Sequence, residues 1–328
     1  MITINVIQYF RNLVFSFGKG CVFMPAKIIA ICAKKGGTGK TTTAIQLGVG
    51  LLIAGKKVLL IDMDSQCNLS SATMAYNDEQ VSIFDVLHIK KGKMKPAVAI
   101  KDAITIITPT TSDKKSGTED TPPPPTLDED PLTDTSRRLH VVQSALNLEE
   151  LNIELASRAD GPFRLKNALE SIRDYYDYII IDTPPAIEAI TQTAILASDE
   201  IIITAQADQF TADGILQLAW VLQGFQGLPG TNFKIAGILL TRFSDRSTIR
   251  REMRDAISAI AKDLDTKVYN TFIRENVAIV ESQFLHSSVY KHNKRSNGAI
   301  DYYNFVKEFL MDHGVQESDI PEFIKPEV

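Results

Sequence analysis

Lys27-Ile28-Ile29-Ala30-Ile31-Cys32-Ala33, followed by Lys34-Lys35-Gly36-Gly37-Thr38-Gly39-Lys40-Thr41-Thr42, decides the fold. The first run is apolar and β-branched without alternation, the pattern of a strand buried on both faces. The second is a glycine-rich turn, and beyond it Ala44, Leu47, Leu51 and Leu52 recur at helical spacing over residues 41–54. Strand, glycine turn and helix start, in that order, make a phosphate cradle. Gly36, Gly37 and Gly39 allow the backbone to aim its N–H groups at phosphate oxygens. The helix beginning near Thr41 turns its positive end toward the same anion. Lys40 is then placed for the β- and γ-phosphates and the Thr41 hydroxyl for Mg²⁺. The nucleotide-binding stretch is Gly36, Gly37, Thr38, Gly39, Lys40, Thr41 and Thr42.

Working outward, Val58 to Ile61 ends at Asp62-Met63-Asp64, and Tyr178 to Ile181 ends at Asp182. Glu200 to Ala205 and Ile235 to Thr241 are further apolar runs, each separated from the last by helical pattern. That alternation predicts an α/β fold, a mostly parallel twisted sheet with helices on both faces. Functional groups should sit at the carboxyl ends of its strands. Two carboxylates at such an end beside a phosphate cradle suit Mg²⁺ and water. Asp64 also fits a turn or N-cap role.

The chain of 328 residues, 44% hydrophobic and 23% charged, excludes a collagen, a coiled coil and a fully disordered protein. Residues 24–311 read as a single domain interrupted at 112–136 by an acidic insertion containing Pro122-Pro123-Pro124-Pro125. Such a segment cannot bury enough apolar surface to order itself, so a disordered loop is expected there. Ile104 to Thr108 and Leu139 to Val142 look like the strands it joins. The acidic tail 312–328 is expected to be loosely held. Residues 1–23 are apolar but broken by Asn5, Gln8, Arg11 and Asn12, and have no signal-peptide pattern. They read either as an amphipathic segment or as sequence upstream of a start at Met24; the strand that follows directly favours Met24. Cys21, Cys32 and Cys67 lack metal-like spacing.

The net charge of −5 argues, at face value, against nucleic acid. The acidity is peripheral, however. Residues 112–136 carry −5, residues 312–328 carry −4 and residues 1–23 carry +2, leaving +2 for the remainder.

Lys35-Gly36-Gly37-x-Gly39-Lys40-Thr41 departs from the common G-x-x-x-x-G-K-[ST] loop through its front lysine. This resembles the deviant Walker A motif of the ParA/MinD superfamily of P-loop ATPases. The resemblance implies that Lys35 reaches across a nucleotide-sandwich homodimer, where its charge would act as an arginine finger does. Val58 to Gln66 is similar to that family's strand with Asp-x-Asp-Pro-Gln, which implies that Asp64 positions the attacking water and Asp62 supports the metal shell. Ser65 stands where proline is usual, and Cys67 where glycine is. Tyr178 to Pro185 resembles the Walker B strand, with Asp182 holding Mg²⁺ through water. Gly237 to Phe243 looks like the strand leading to the adenine pocket, which brings in Thr241 and Arg242.

Val268 to Val277, Glu281-Ser282 and Arg295-Ser296-Asn297-Gly298-Ala299 resemble the late segment of ParA/Soj-type partition ATPases. That resemblance implies ATP and Mg²⁺ as cofactors, weak intrinsic ATP hydrolysis, and non-specific DNA binding by the ATP dimer. It further implies stimulation by a ParB-like partner, a cytoplasmic, nucleoid-associated location and no membrane. Arg242 to Arg254 has five arginines against Asp245 and Glu252, a local charge of +3. Arg246, Arg250 and Arg254 would share a helix face, with Arg251 beside them. Lys291, Lys294 and Arg295 form a second cluster. Such patches neutralise phosphates without reading bases, although a charged face is commonly just solvated. The family's Pro-Arg-Asn-Val-Arg is Arg274-Glu275-Asn276-Val277-Ala278 here, which ranks Arg246 and Arg250 above that segment.

A MinD-like ATPase acting at a membrane would end in a basic amphipathic helix, whereas residues 312–328 hold five acids and one lysine. Attachment through residues 1–17 stays open. An iron–sulfur reductase would need paired cysteines, and a P-loop ligase a small-substrate pocket.

Overall fold

The computed structural model describes residues 25–107, 138–208, 211–228, 231–245 and 248–323. The N-terminal segment 1–23, the insertion 112–136 and Arg246 lie outside them.

Seven strands form one sheet in the order β3-β4-β2-β5-β1-β6-β7. They are β1 (Lys27–Cys32), β2 (Val58–Asp62), β3 (Ile104–Ile107), β4 (Leu139–Val142), β5 (Tyr178–Asp182), β6 (Glu200–Gln206) and β7 (Lys234–Thr241). All neighbours are parallel except the edge pair β3–β4, which runs antiparallel from Ile104 opposite Val142 to Ile107 opposite Leu139. The helices are α1 (Lys40–Ile53), α2 (Asn68–Ala72), α3 (Ile83–Leu87), α4 (Leu151–Ser157), α5 (Arg164–Glu170), α6 (Ala189–Ala197), α7 (Thr211–Gln226), α8 (Thr248–Asp263), α9 (Val277–Phe284), α10 (Val289–His292) and α11 (Asn297–Asp312).

The unbroken apolar runs of the central strands have a simple cause. Ile28 and Ala30 face one core, with α4 to α8, while Ile29 and Ile31 face the other, with α1 and α11. Because both sheet faces are covered, neither set of alternate residues can be polar. β1 lies between β5 and β6 in space, although the chain runs from β1 to β2. The order therefore reverses beside β1, and the crevice at its carboxyl end is where such a sheet binds ligands.

Helix α1 is wedged tightly against its neighbours. A Cβ on Gly50 would lie 2.5 Å from Val306 Cγ2 and 2.8 Å from the Tyr290 hydroxyl. Gly50→Ala is therefore expected to overpack the contact of α1 with α11 and to cost about 1–3 kcal/mol. A lowered midpoint in thermal unfolding checks this.

The expectation of a loosely held tail needs correction over its described part. Helix α11 runs to Asp312, and beyond it Ile320 is buried. The Tyr303 hydroxyl donates to the Pro321 carbonyl at 2.5 Å. Phe323 stacks on Tyr303 at 4.9 Å between ring centroids and meets Tyr290 edge-on at 5.2 Å. Acidic composition hid two apolar anchors, Ile320 in the core and Phe323 against two aromatic rings.

Candidate functional site

The glycine turn closes over the carboxyl end of β1. Gly37 and Gly39 take φ of 76° and 85°, the left-handed region that favours glycine. Gly39 is the N-cap of α1, and no acidic residue occupies the first turn to offset its positive end. Lys40 and Thr38 are buried, whereas Lys34, Lys35, Gly36 and Gly37 are exposed.

Residues on β6 and β7 brace this loop. The Thr241 hydroxyl donates to the Thr38 carbonyl at 2.8 Å, and the hydroxyls of Thr38 and Thr204 lie 3.1 Å apart. Gln206 Nε2 donates to the Gly37 carbonyl at 2.6 Å. Lys35 Nζ donates to Asp208 Oδ2 at 2.8 Å. On the other flank, Gln283 Nε2 of α9 donates to the Thr42 hydroxyl at 2.6 Å. Thr241 is thus placed as a buttress of the phosphate loop. Arg242 follows it at φ 49°, with its carbonyl accepting from Arg250 Nη1 at 3.1 Å. Sequence reasoning missed Thr204, Gln206, Asp208 and Gln283, since none belongs to a recognisable motif.

Two carboxylates face each other at the strand ends, and a third, Asp64, follows two residues beyond β2. β2 and β5 are in register so that Asp62 lies opposite Asp182. Asp62 is fully engaged: its Oδ2 accepts from Ser70 N at 2.8 Å and Ser70 Oγ at 2.6 Å, and its Oδ1 from Asp64 N at 3.1 Å. Burial pushes its pKa up to about 6, against those hydrogen bonds. Asp62 therefore anchors the turn that carries Asp64. Asp64 is 8% exposed, and its Oδ1 accepts from Gln66 N at 3.1 Å.

Asp182 contrasts with both. Both of its oxygens are buried without a hydrogen-bond partner. Burial first, and the nearby Asp62 second, hold its pKa well above the carboxylate range, while Thr41 and Lys40 favour the charged form. An orphaned buried carboxylate beside a threonine hydroxyl fits a hard cation. Among the described residues no three His, Cys, Asp or Glu side chains gather into a metal cage. The Asp182 carboxylate with the Thr41 hydroxyl suits Mg²⁺, which keeps waters and phosphate oxygens in its shell.

Cys67 sits at φ 52°, entering α2, where a glycine would be unstrained. Burial raises its thiol to about 11 and that of Cys32 to about 12. Neither thiol is poised as a nucleophile or cluster ligand.

The candidate DNA contacts lie on two elements. Arg250, Arg251 and Arg254 project from α8, whose charged positions spread around its exposed side. Arg251 Nη1 donates to the Asp245 carbonyl at 3.2 Å. The Arg254 guanidinium stands 5.8 Å over the Phe272 ring and donates to the Asn270 carbonyl at 3.4 Å. Lys294 and Arg295 are exposed in the turn before α11, whose N-cap Ser296 accepts from Ala299 N. Arg274, the displaced basic residue, is bound to Asp301, with Nη2 to Oδ1 at 2.6 Å and Nε to Oδ2 at 2.9 Å. It joins a loop to α11. Arg274→Ala strips the buried Asp301 of its guanidinium partner and leaves it only the backbone N–H of residue 274, which donates to Oδ2 at 3.0 Å, and a loss of about 1–3 kcal/mol is expected in chemical denaturation.

A family model described as AAA domain matches residues 26–114 and 126–235. The chain is 32% identical to the sporulation initiation inhibitor protein Soj of Bacillus subtilis, over 86% of this chain and 97% of that protein. It is 28% identical to the chromosome partitioning protein ParA of Caulobacter vibrioides, over 87% of this chain and 94% of that protein. Among solved structures, Cyanothece McdA matches with a TM-score of 0.69 at 23% identity, covering 87% of this chain and 99% of that one. The septum site-determining protein MinD of Pyrococcus horikoshii, complexed with Mg-ADP, matches with a TM-score of 0.61 at 24% identity, covering 87% and 96%. These likenesses establish the fold as the P-loop NTPase sheet expected from the motifs.

Proposed function

The chain belongs to the ParA/Soj-type ATPases of the deviant Walker A superfamily, and on that premise we propose that it is an ATP-driven switch: Mg²⁺-ATP closes a homodimer, the dimer holds DNA non-specifically, and hydrolysis opens it. Partitioning of a replicon or other cargo, with hydrolysis stimulated by a ParB-like partner, is the role this mechanism serves. The observation that carries the ATPase reading is Asp182, a buried carboxylate with orphaned oxygens next to Thr41 and Lys40.

The residues divide the work. The N–H groups of Gly36 to Thr42 cradle the phosphates, and Lys40 neutralises the β- and γ-oxygens. Thr41 and Asp182 would hold Mg²⁺, with Asp62 behind them; bound there, the ion neutralises charge developing on the phosphates. Asp64 orients the water. Lys35 supplies positive charge to the nucleotide of the second protomer. Sedimentation with Mg²⁺-ATP and with Mg²⁺-ADP tests the closure: a dimer in ATP alone supports it, and a monomer in both contradicts it.

On the DNA side, Arg250, Arg251, Arg254, Lys294 and Arg295 neutralise backbone phosphates, with Arg246 beside them in the sequence. Replacing Lys294 and Arg295 together by Ala is expected to flatten the slope of log K against log salt by about 2. An unchanged slope removes them from the interface. A second reading, a dimer held at a surface other than DNA, rests on Val277, Val280 and Phe284, which lie exposed along one face of α9. Vesicle flotation beside a DNA-binding assay separates the two.

A further inference from the structure

The front of the phosphate loop is tied to one segment, the stretch from the end of β6 into α7. Gln206 Nε2 holds the Gly37 carbonyl at 2.6 Å, Lys35 Nζ donates to Asp208 Oδ2 at 2.8 Å, and Lys34 Nζ donates to Gln217 Oε1 on α7. Asp208 is itself fixed. The Thr211 hydroxyl donates to the Gln206 carbonyl, accepts from Asp208 N at 3.3 Å and lies 3.1 Å from Asp208 Oδ1, while Thr211 N donates to the Asp208 carbonyl at 3.1 Å. Its carboxylate is a preset acceptor at the edge of the nucleotide crevice. Lys35 is 60% exposed, and the acid it pairs with lies in its own chain.

We propose that Asp208 is a positioning residue that holds Lys35 on its own protomer and sets how readily that lysine transfers to the nucleotide of a second copy. This rests on Lys35 being the lysine that crosses the dimer. A lysine ammonium is a compact charge on a flexible stem, so it can change partners without moving the backbone. A triphosphate offers it several anionic oxygens in place of one carboxylate, so the exchange runs toward the closed dimer only when that nucleotide is present. Each closure breaks two such pairs, one per protomer. Any weakening of the pair therefore enters the dimerisation constant twice. Exposed ion pairs are individually weak, so Asp208 tunes the threshold of the switch and does not lock it.

The test uses the full chain, its Asp208→Asn and Asp208→Glu variants, and Lys35→Ala. In the nucleotide-free monomer, reductive methylation read by mass spectrometry should modify Lys35 faster in Asp208→Asn than in wild type, with Asp208→Glu close to wild type. In sedimentation across a Mg²⁺-ATP series, Asp208→Asn should dimerise about two- to tenfold more tightly, and Asp208→Glu within about twofold of wild type. Unchanged Lys35 labelling, or dimerisation that is unchanged or weaker in Asp208→Asn, overturns the role of Asp208 while leaving the switch intact. If wild type and Lys35→Ala associate equally at every ATP concentration, it is the crossing lysine that fails, and the proposal fails with it.

Discussion

Lys40→Ala is expected to abolish measurable nucleotide binding, a loss of more than about 100-fold in affinity. Lys40 is 7% exposed, at the first position of α1, beneath a loop whose glycines leave only backbone N–H groups to meet the phosphates. A neutral backbone cradle without its one buried cation must desolvate a triphosphate with little return. The substitution also withdraws the positive charge that favours ionised Asp182, so the metal shell weakens with the phosphate site. Titration calorimetry with Mg²⁺-ADP and Mg²⁺-ATP reads both losses. Retained micromolar affinity in a variant with unchanged circular dichroism would contradict the placement of Lys40. The structural cost should be small, because alanine is a good helix residue at that position.

Asp64→Ala is expected to lower turnover by about 10²- to 10⁴-fold while sparing nucleotide binding. Asp64 stands two residues beyond the end of β2, held in place by the Asp62 carboxylate on its N–H at 3.1 Å. Its own Oδ1 organises the next turn through Gln66 N, and the remaining oxygen is left for a water. Because it takes part after the dimer has closed, its removal should prolong the ATP-bound state. DNA retention in ATP should lengthen in parallel with the fall in turnover. Single-turnover hydrolysis measured beside DNA dissociation checks this, and unchanged turnover would sink the assignment. Asp62→Ala should behave differently. It removes the acceptor for both Ser70 groups and for Asp64 N, so stability and turnover should fall together.

Most of the framework was readable in the sequence because both faces of the sheet are buried. Continuous apolar runs such as Ile28 to Cys32 and Tyr178 to Ile181 have one interpretation once a glycine turn or an aspartate ends them. The edge pair β3–β4 was legible as strands from Ile104 and Leu139. Its antiparallel sense was not, since pairing direction is a tertiary property. In the candidate site, Lys40, Thr41, Asp62, Asp64 and Asp182 stood out because each lies in the glycine turn or at the end of an apolar run. Their supports did not. Ser70, Gln206, Asp208 and Gln283 are ordinary polar residues whose roles come only from long-range contacts, such as Gln283 with Thr42. Composition misled for the tail, where Ile320 and Phe323 outweigh the surrounding acids once Tyr290 and Tyr303 are in place. Arg274, ranked below Arg246 and Arg250 from the sequence, is engaged in an ion pair with Asp301.

An ATP-gated switch requires one coupling, that of the bound nucleotide to DNA affinity. Binding of the chain to a short duplex of arbitrary sequence should be measured with Mg²⁺-ADP and with Mg²⁺-ATP across a salt series, using Asp64→Ala to hold the ATP state. The expected result is tight, steeply salt-dependent binding in ATP and little in ADP. Equal affinity in the two nucleotides, or none in either, contradicts an ATP-gated DNA switch.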